Sequence, residues 1–168
     1  SSVYEDSNAR GVDGDQLNDL AVDSGAAFIY VKVGNRWQLQ AYLKASNTDA
    51  SDFFGLSGAL SADGNTCVIS ALWEDSPARE INGDQSLNTA IDAGAAYVFQ
   101  RTGENWRQCN YLKSLATDSQ DMFGGGIAIT GDGKSLAVAS LYENSGSSGF
   151  GGDPTDNSVA SSGGVFLY

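Results

Sequence analysis

The sequence predicts an all-β fold made of repeated four-stranded antiparallel sheets. Three observations predict it. The first is a strict 69-residue recurrence: Gly25-Ala26-Ala27-Phe28-Ile29-Tyr30 returns as Gly94-Ala95-Ala96-Tyr97-Val98-Phe99, and again as Gly163-Gly164-Val165-Phe166-Leu167-Tyr168. A fixed period of this size marks a repeat architecture. The second is a succession of short apolar runs of strand length, bounded by turn residues, with no helical periodicity. The third is composition: 21 glycines, 2 prolines and a 41% hydrophobic content describe a globular chain rich in tight turns, not a disordered one.

Other landmarks keep the period. Trp37 maps to Trp106, Tyr42-Leu43-Lys44 to Tyr111-Leu112-Lys113, Phe54-Gly55 to Phe123-Gly124, and Asp63-Gly64 to Asp132-Gly133. Glu5, Glu74 and Glu143 form a series of three. The 168 residues hold about 2.4 copies, with no insertion or deletion between them.

The elements follow in order. Residues 1–53 read as a partial unit: the end of a second strand, then third and fourth strands. Residues 54–122 read as one complete unit with its linker, and residues 123–168 as the first to third strands of another. In the complete unit the first strand runs from Phe54 to Ser61. Asp63-Gly64 is expected to be a two-residue turn with positive φ at both positions. The second strand is Thr66 to Leu72, and a polar loop over roughly 74–92 leads to a third strand, Gly94 to Arg101. A Gly103-Glu104 turn opens the fourth, Trp106 to Lys113. Both ends of such a chain leave strand edges open for pairing. The chain starts at Ser1 without a Met or signal peptide, and reads as a processed or excised piece of something longer.

Four strands per repeat, fanned about an axis, is the β-propeller arrangement. The first strand of each repeat is rich in small residues (Gly55, Ser57, Gly58, Ala59; Gly124, Gly125, Gly126, Ala128). Glycine weakens a strand unless something must approach closely, as at a crowded axis. Trp37 and Trp106 suit the wider outer rim.

The run from Phe54-Gly55-Leu56-Ser57-Gly58-Ala59 to Asp63-Gly64-Asn65-Thr66 resembles the FG-GAP repeat signature. The Gly-Ala-Ala-Tyr-Val-Phe run and Asn82-Gly83-Asp84-Gln85 resemble the long-period form common in bacterial surface proteins. The resemblance implies a β-propeller related to the integrin α head, extracellular or on the cell surface, used in adhesion or ligand binding. Integrin-type repeats often carry a calcium loop of Asp-x-Asp-x-Asp-Gly type between the first two strands. Here that loop is reduced to Ala62-Asp63-Gly64-Asn65 and Gly131-Asp132-Gly133-Lys134, and one carboxylate cannot supply the six to eight oxygens calcium takes.

The net charge of −12 argues against nucleic acid and anionic lipid as partners, because both would be repelled. No run approaches the roughly 20 apolar residues of a membrane helix. Asp outnumbers Glu 16 to 5, which places the acidity in turns and loops.

The long loop carries the candidate site. Its copies contain Asp15 and Asp19, Asp84 and Asn88, and Asp153 and Asn157. These residues fit either one calcium ion per repeat or structural ties to the loop's own backbone. Asp49 and Asp52 recur as Asp118 and Asp121 ahead of the Phe-Gly strand, where they can face a ligand or shape the lead-in turn. The recurring aromatics Phe28, Tyr30, Trp37, Tyr97, Phe99 and Trp106 fit packing between sheets, or a sugar-stacking platform.

No catalytic residue is assigned. Gly55-Leu56-Ser57-Gly58 misses the spacing of a nucleophile elbow, and a chain without histidine holds no Ser-His-Asp relay. Gly124-Gly125-Gly126 lacks the lysine and helix of a phosphate loop. Two cysteines without histidine make zinc chemistry a poor fit. Cys67 and Cys109 fall two strand spacings apart, about 9.6 Å, too far for a disulfide, and are expected as free thiols packed between sheets. The reading is therefore a non-enzymatic binding or adhesion module whose scaffold displays loops to a protein or glycan. A structural subunit, completed by further repeats of a parent chain or by copies of itself, is the alternative. A carboxylate-based hydrolase is weaker, because Glu74 recurs repeat by repeat while an active site breaks such symmetry.

Overall fold

A computed structural model describes residues 1–168. It contains nine strands and no helix: β1 (Ala27–Val33), β2 (Arg36–Leu43), β3 (Phe54–Leu60), β4 (Thr66–Ala71), β5 (Ala95–Thr102), β6 (Asn105–Leu112), β7 (Phe123–Ile129), β8 (Leu136–Ser140) and β9 (Gly164–Leu167). They form three antiparallel sheets of order β1-β2, β3-β4-β5-β6 and β7-β8-β9. The strand limits lie within one or two residues of those read from the repeat. Ser2 bridges Ala26 as Ala71 pairs with Ala95 one period later, so the first sheet keeps a trace of a second strand.

The sheets stack side by side as blades. Ala27, Ala41 and Leu43 of the first pack against Cys67, Ile69, Tyr97, Phe99, Trp106 and Tyr111 of the second. Val68, Ala96, Val98 and Leu112 on the opposite side of the second sheet pack against Phe123, Val138, Phe166 and Tyr168 of the third. The same wedge recurs at each sheet's start. Phe54 meets Tyr97 and Phe99 edge-on at 5.5 and 6.1 Å, and Phe123 meets Phe166 and Tyr168 at 5.7 and 6.2 Å. Each buried phenylalanine contributes about 1.5–3 kcal/mol through removal from water. The recurring aromatics of the second sheet therefore pack between blades. Trp106 is 7% exposed and Trp37 67% exposed, because only Trp106 has a preceding sheet to cover it.

The small residues of the first strands have a local cause. Gly55 sits at φ 103° and Gly124 at φ 104°, where the pairing with the second strand is interrupted. A Cβ on Gly124 would stand 2.7 Å from Ser70 Cβ and 3.0 Å from the Ala95 carbonyl of the preceding blade.

Two expectations are corrected. The Asp63-Gly64 turn has positive φ only at Gly64 (68°). The connection is a longer loop in which the Gly64 amide donates to the Ser61 carbonyl at 2.9 Å. The Asp63 carboxylate accepts from Ser61 Oγ (2.6 Å), Asn65 N (2.9 Å) and Asn65 Nδ2 (2.9 Å), closing the loop around a side chain. Those donors, Ser61 first, hold its carboxyl down to about 2. The second correction concerns Cys109. Both thiols are free, but only Cys67 is buried between blades, and burial pushes its thiol up to about 12. Cys109 is the extra residue of a bulge in β6, half-buried, with Sγ 3.3 Å from Gln100 Oε1. Its counterpart in β2, Gln40, reaches the next blade and accepts from Arg101 NH1 (3.0 Å) and Trp106 Nε1 (2.9 Å).

Candidate functional site

Each long loop is closed at its base by the same three bonds. Ala90 N and Gly94 N donate to the carbonyls of Asp75 and Glu74, and Asp92 N donates to Asp75 Oδ1 at 2.8 Å. Ala21, Gly25 and Asp23 repeat this with Asp6 and Glu5, and Val159, Gly163 and Ser161 with Asn144 and Glu143. The middle of the loop is clamped to the fourth strand. Asn82 N donates to the Tyr111 carbonyl, and Tyr111 N returns a bond to Asn82 Oδ1 at 2.9 Å, as Asp13 and Tyr42 do one period earlier.

Under the second loop lies a buried polar hub. Glu74, 1% exposed, accepts from Lys113 Nζ, Tyr111 OH and Asn47 Nδ2, each at 2.8 Å. Asn47 comes from the linker of the preceding blade and also accepts from Tyr97 OH at 2.7 Å. Burial lowers the Lys113 ammonium below its usual range, while the Glu74 charge opposes that shift. Glu5 and Lys44 repeat the pair at 2.9 Å.

The predicted site residues take separate places. Asp15, Asp84 and Asp153 each use Oδ1 to accept the amide two residues on (Leu17, Ser86, Thr155) at 2.9 Å. Their carbonyls accept from Ser7, Ser76 and Ser145. Asn88 and Asn157 instead donate across the blade boundary to Asp49 (2.9 Å) and Asp118 (2.7 Å). Asp19 is exposed. No three acidic or cysteine side chains converge as metal ligands do. Asp52 and Asp121 shape the lead-in turn by accepting the amides of Asp49 and Asp118 at 2.9 Å. Burial, with the nearby Glu74 charge, pushes the Asp52 carboxyl up to about 8.

A row of aromatics escaped the reading of the sequence. Tyr4 packs edge-on against Phe53 at 5.7 Å, and Phe53 against Trp73 at 4.4 Å. Tyr4, Trp73 and Tyr142 occupy one repeat position, immediately before the Glu series, and are 71%, 40% and 47% exposed. Phe53 and Met122 hold φ of 53° and 52°, an unfavourable conformation for bulky side chains. They are held there by the linker, whose amides at Phe53 and Met122 donate to the Asp23 and Asp92 carbonyls of the preceding blade at 3.1 Å. The available signal was an aromatic one residue ahead of each glutamate, at the same 69-residue period.

Residues 37–99 match the FG-GAP repeat family. That stretch of the chain is similar to an FG-GAP repeat. The matched window opens in β2 and closes in β5, spanning the boundary between the first and second blades. One period on, the same window is Trp106 to Tyr168. The antiparallel sheets are accordingly blades of β-propeller type. No curated protein matches the sequence.

Proposed function

We propose that this protein is a non-enzymatic binding or adhesion module, working outside the cell or at its surface, whose blades hold a row of loops and aromatics toward a protein or glycan ligand. The row Tyr4–Phe53–Trp73, exposed at Tyr4 and Trp73 with Phe53 half-buried between them and continued in sequence by Met122 and Tyr142, carries the reading. Residues in strained backbone persist where the surroundings over-determine them, and such strain gathers at binding sites. Exposed aromatics supply large contact area with little ordering cost. The structure has no helix long and apolar enough to cross a membrane.

The test is a glycan array and a panel of immobilised extracellular-matrix proteins, probed with the chain and with Trp73→Ala. A ligand held by the first and weakened at least about tenfold in the second supports the reading. A panel in which no ligand separates the two proteins overturns it. Calcium at Asp15, Asp84 and Asp153, with Asp19, Asn88 and Asn157 beside them, is part of the proposal to be decided by melting. A transition lowered by chelator supports it, and an unchanged one leaves these residues as loop ties.

The alternative, a subunit of a larger assembly, is favoured by the two outer faces. Trp37 and Tyr30 on one side, and Val165 and Leu167 on the other, are more than half exposed. Their counterparts Trp106 and Phe99, and Ala96 and Val98, are buried between blades. Light scattering that finds only a monodisperse 17.5 kDa species rules this alternative out.

A further inference from the structure

The three long loops turn in the same way at one repeat position. At Asp13, Asn82 and Gly151 the backbone holds φ of 55°, 57° and 73°. Residues other than glycine, aspartate and asparagine rarely take that left-handed conformation. A glycine follows each of them, and packing requires it. A Cβ on Gly14 would stand 2.7 Å from Ala9 Cβ, one on Gly83 2.9 Å from Ala78 Cβ, and one on Gly152 2.6 Å from Ser147 Cβ. The fold therefore favours Asp-Gly, Asn-Gly or Gly-Gly at this turn, and the three loops use one of each. Asn82-Gly83 is the one Asn-Gly pair in the sequence.

An asparagine followed by glycine is chemically exposed. The next main-chain nitrogen can attack the side-chain amide carbon, and a following residue without Cβ leaves that approach open. Asn82 lies at the surface, where water reaches it. Two contacts engage the reacting groups in the folded chain. Asn82 Oδ1 accepts the Tyr111 amide at 2.9 Å, and the Gly83 amide donates to the Glu80 carbonyl at 3.3 Å.

We propose that Asn82 is a site of spontaneous deamidation, gated by its clamp to Tyr111. When the clamp opens, the Gly83 nitrogen attacks Asn82 Cγ. A Cγ–N bond forms, the Cγ–Nδ2 bond breaks, and ammonia leaves with the proton from the Gly83 nitrogen, closing a five-membered imide. Water then opens the imide. Attack at Cγ leaves an ordinary aspartate at position 82, and attack at the main-chain carbonyl leaves isoaspartate. The aspartate product keeps the clamp, because Asp13 already makes it in the first blade: Tyr42 N donates to Asp13 Oδ1 at 2.9 Å, and Asp13 N to the Tyr42 carbonyl at 2.8 Å. Isoaspartate adds a methylene to the main chain and breaks the geometry of this two-bond pair. Either product adds a negative charge to an exposed loop that already carries Asp84.

The test is peptide mapping of the chain aged in native buffer and in urea, both mildly alkaline. Cleavage after Arg79 and Arg101 isolates residues 80–101, in which Asn88 is the internal comparison. The acid form should accumulate at Asn82 in both, about ten- to a hundredfold more slowly in native buffer, because the clamp must open first. Asn82→Asp should melt within about 4 °C of the parent chain. Aged protein carrying isoaspartate should exchange the Tyr111 amide faster than Asn82→Asp does. The comparison of the two buffers does not depend on how any variant folds. An Asn82 amide that outlasts that span in native buffer, equal rates in the two buffers, or conversion as fast at Asn88 as at Asn82 would each overturn the proposal. So would a larger fall in melting temperature for Asn82→Asp, or unchanged Tyr111 exchange in the isoaspartate form.

Discussion

Lys113→Met removes the cation from the hub beneath the second loop while keeping an apolar side chain of similar length. Both members of the Lys113–Glu74 pair are almost fully buried, with side-chain exposures of 0% and 1%. Breaking such a pair from one side leaves a charge stranded in a poorly polarisable interior, which costs about 3–5 kcal/mol. Tyr111 OH and Asn47 Nδ2 still donate to Glu74, so the lower end of that range is expected, about 3 kcal/mol. The exposed pair Arg79–Asp118, at 3.2 Å, is the internal control, and Arg79→Met should cost no more than about 1 kcal/mol. Lys113→Met combined with Glu74→Gln should recover part of the loss, because the stranded charge is gone. Urea denaturation at pH 7, followed by tryptophan fluorescence, measures all four proteins. The comparison rests on midpoints at an unchanged slope, since blades of a repeat protein can unfold separately. If Lys113→Met costs under about 1 kcal/mol, or no more than Arg79→Met, the hub does not hold the blade together in the way its geometry indicates.

Three further outcomes follow from particular residues. The folded Asp52 carboxyl, raised to about 8, binds its proton more tightly than in the unfolded chain. Its contribution to stability is full below about pH 4 and is lost as pH rises through about 8; Asp52→Asn should flatten that decline in a pH series of urea midpoints. Gly94→Ala should cost more than about 2 kcal/mol, because Gly94 sits at φ 79° and a Cβ would press on the Phe123 carbonyl and stand 2.7 Å from the Phe123 amide. Gly103→Ala, at φ 65° with open space around it, should cost only about 1 kcal/mol by thermal melting. In a thiol-reactivity assay on the folded chain, Cys109 should react promptly and Cys67 only as the protein opens, and similar rates for the two would contradict the buried placement of Cys67.

The repeating unit and its period are legible in the chain alone. A spacing of 69 residues, strand-length apolar runs and turn glycines are properties of the chain read along its length, and they are enough to place four strands in one repeat. The role of the recurring aromatics as inter-blade packing was legible for the same reason, since a side chain present in every repeat must serve what every repeat shares. Other features depend on residues brought together across blades. Asn47 meets Glu74 from the preceding linker, Gln40 reaches Trp106 over a bulge, and Phe53 is forced to positive φ by bonds to Asp23, thirty residues back. Asp84 and Asn88, four residues apart in one loop, looked like partners. In the folded chain one caps its own turn while the other ties its blade to the linker. Periodicity fixes which residues are equivalent. Hydrogen-bond geometry and the loss of water between packed sheets decide which of them touch.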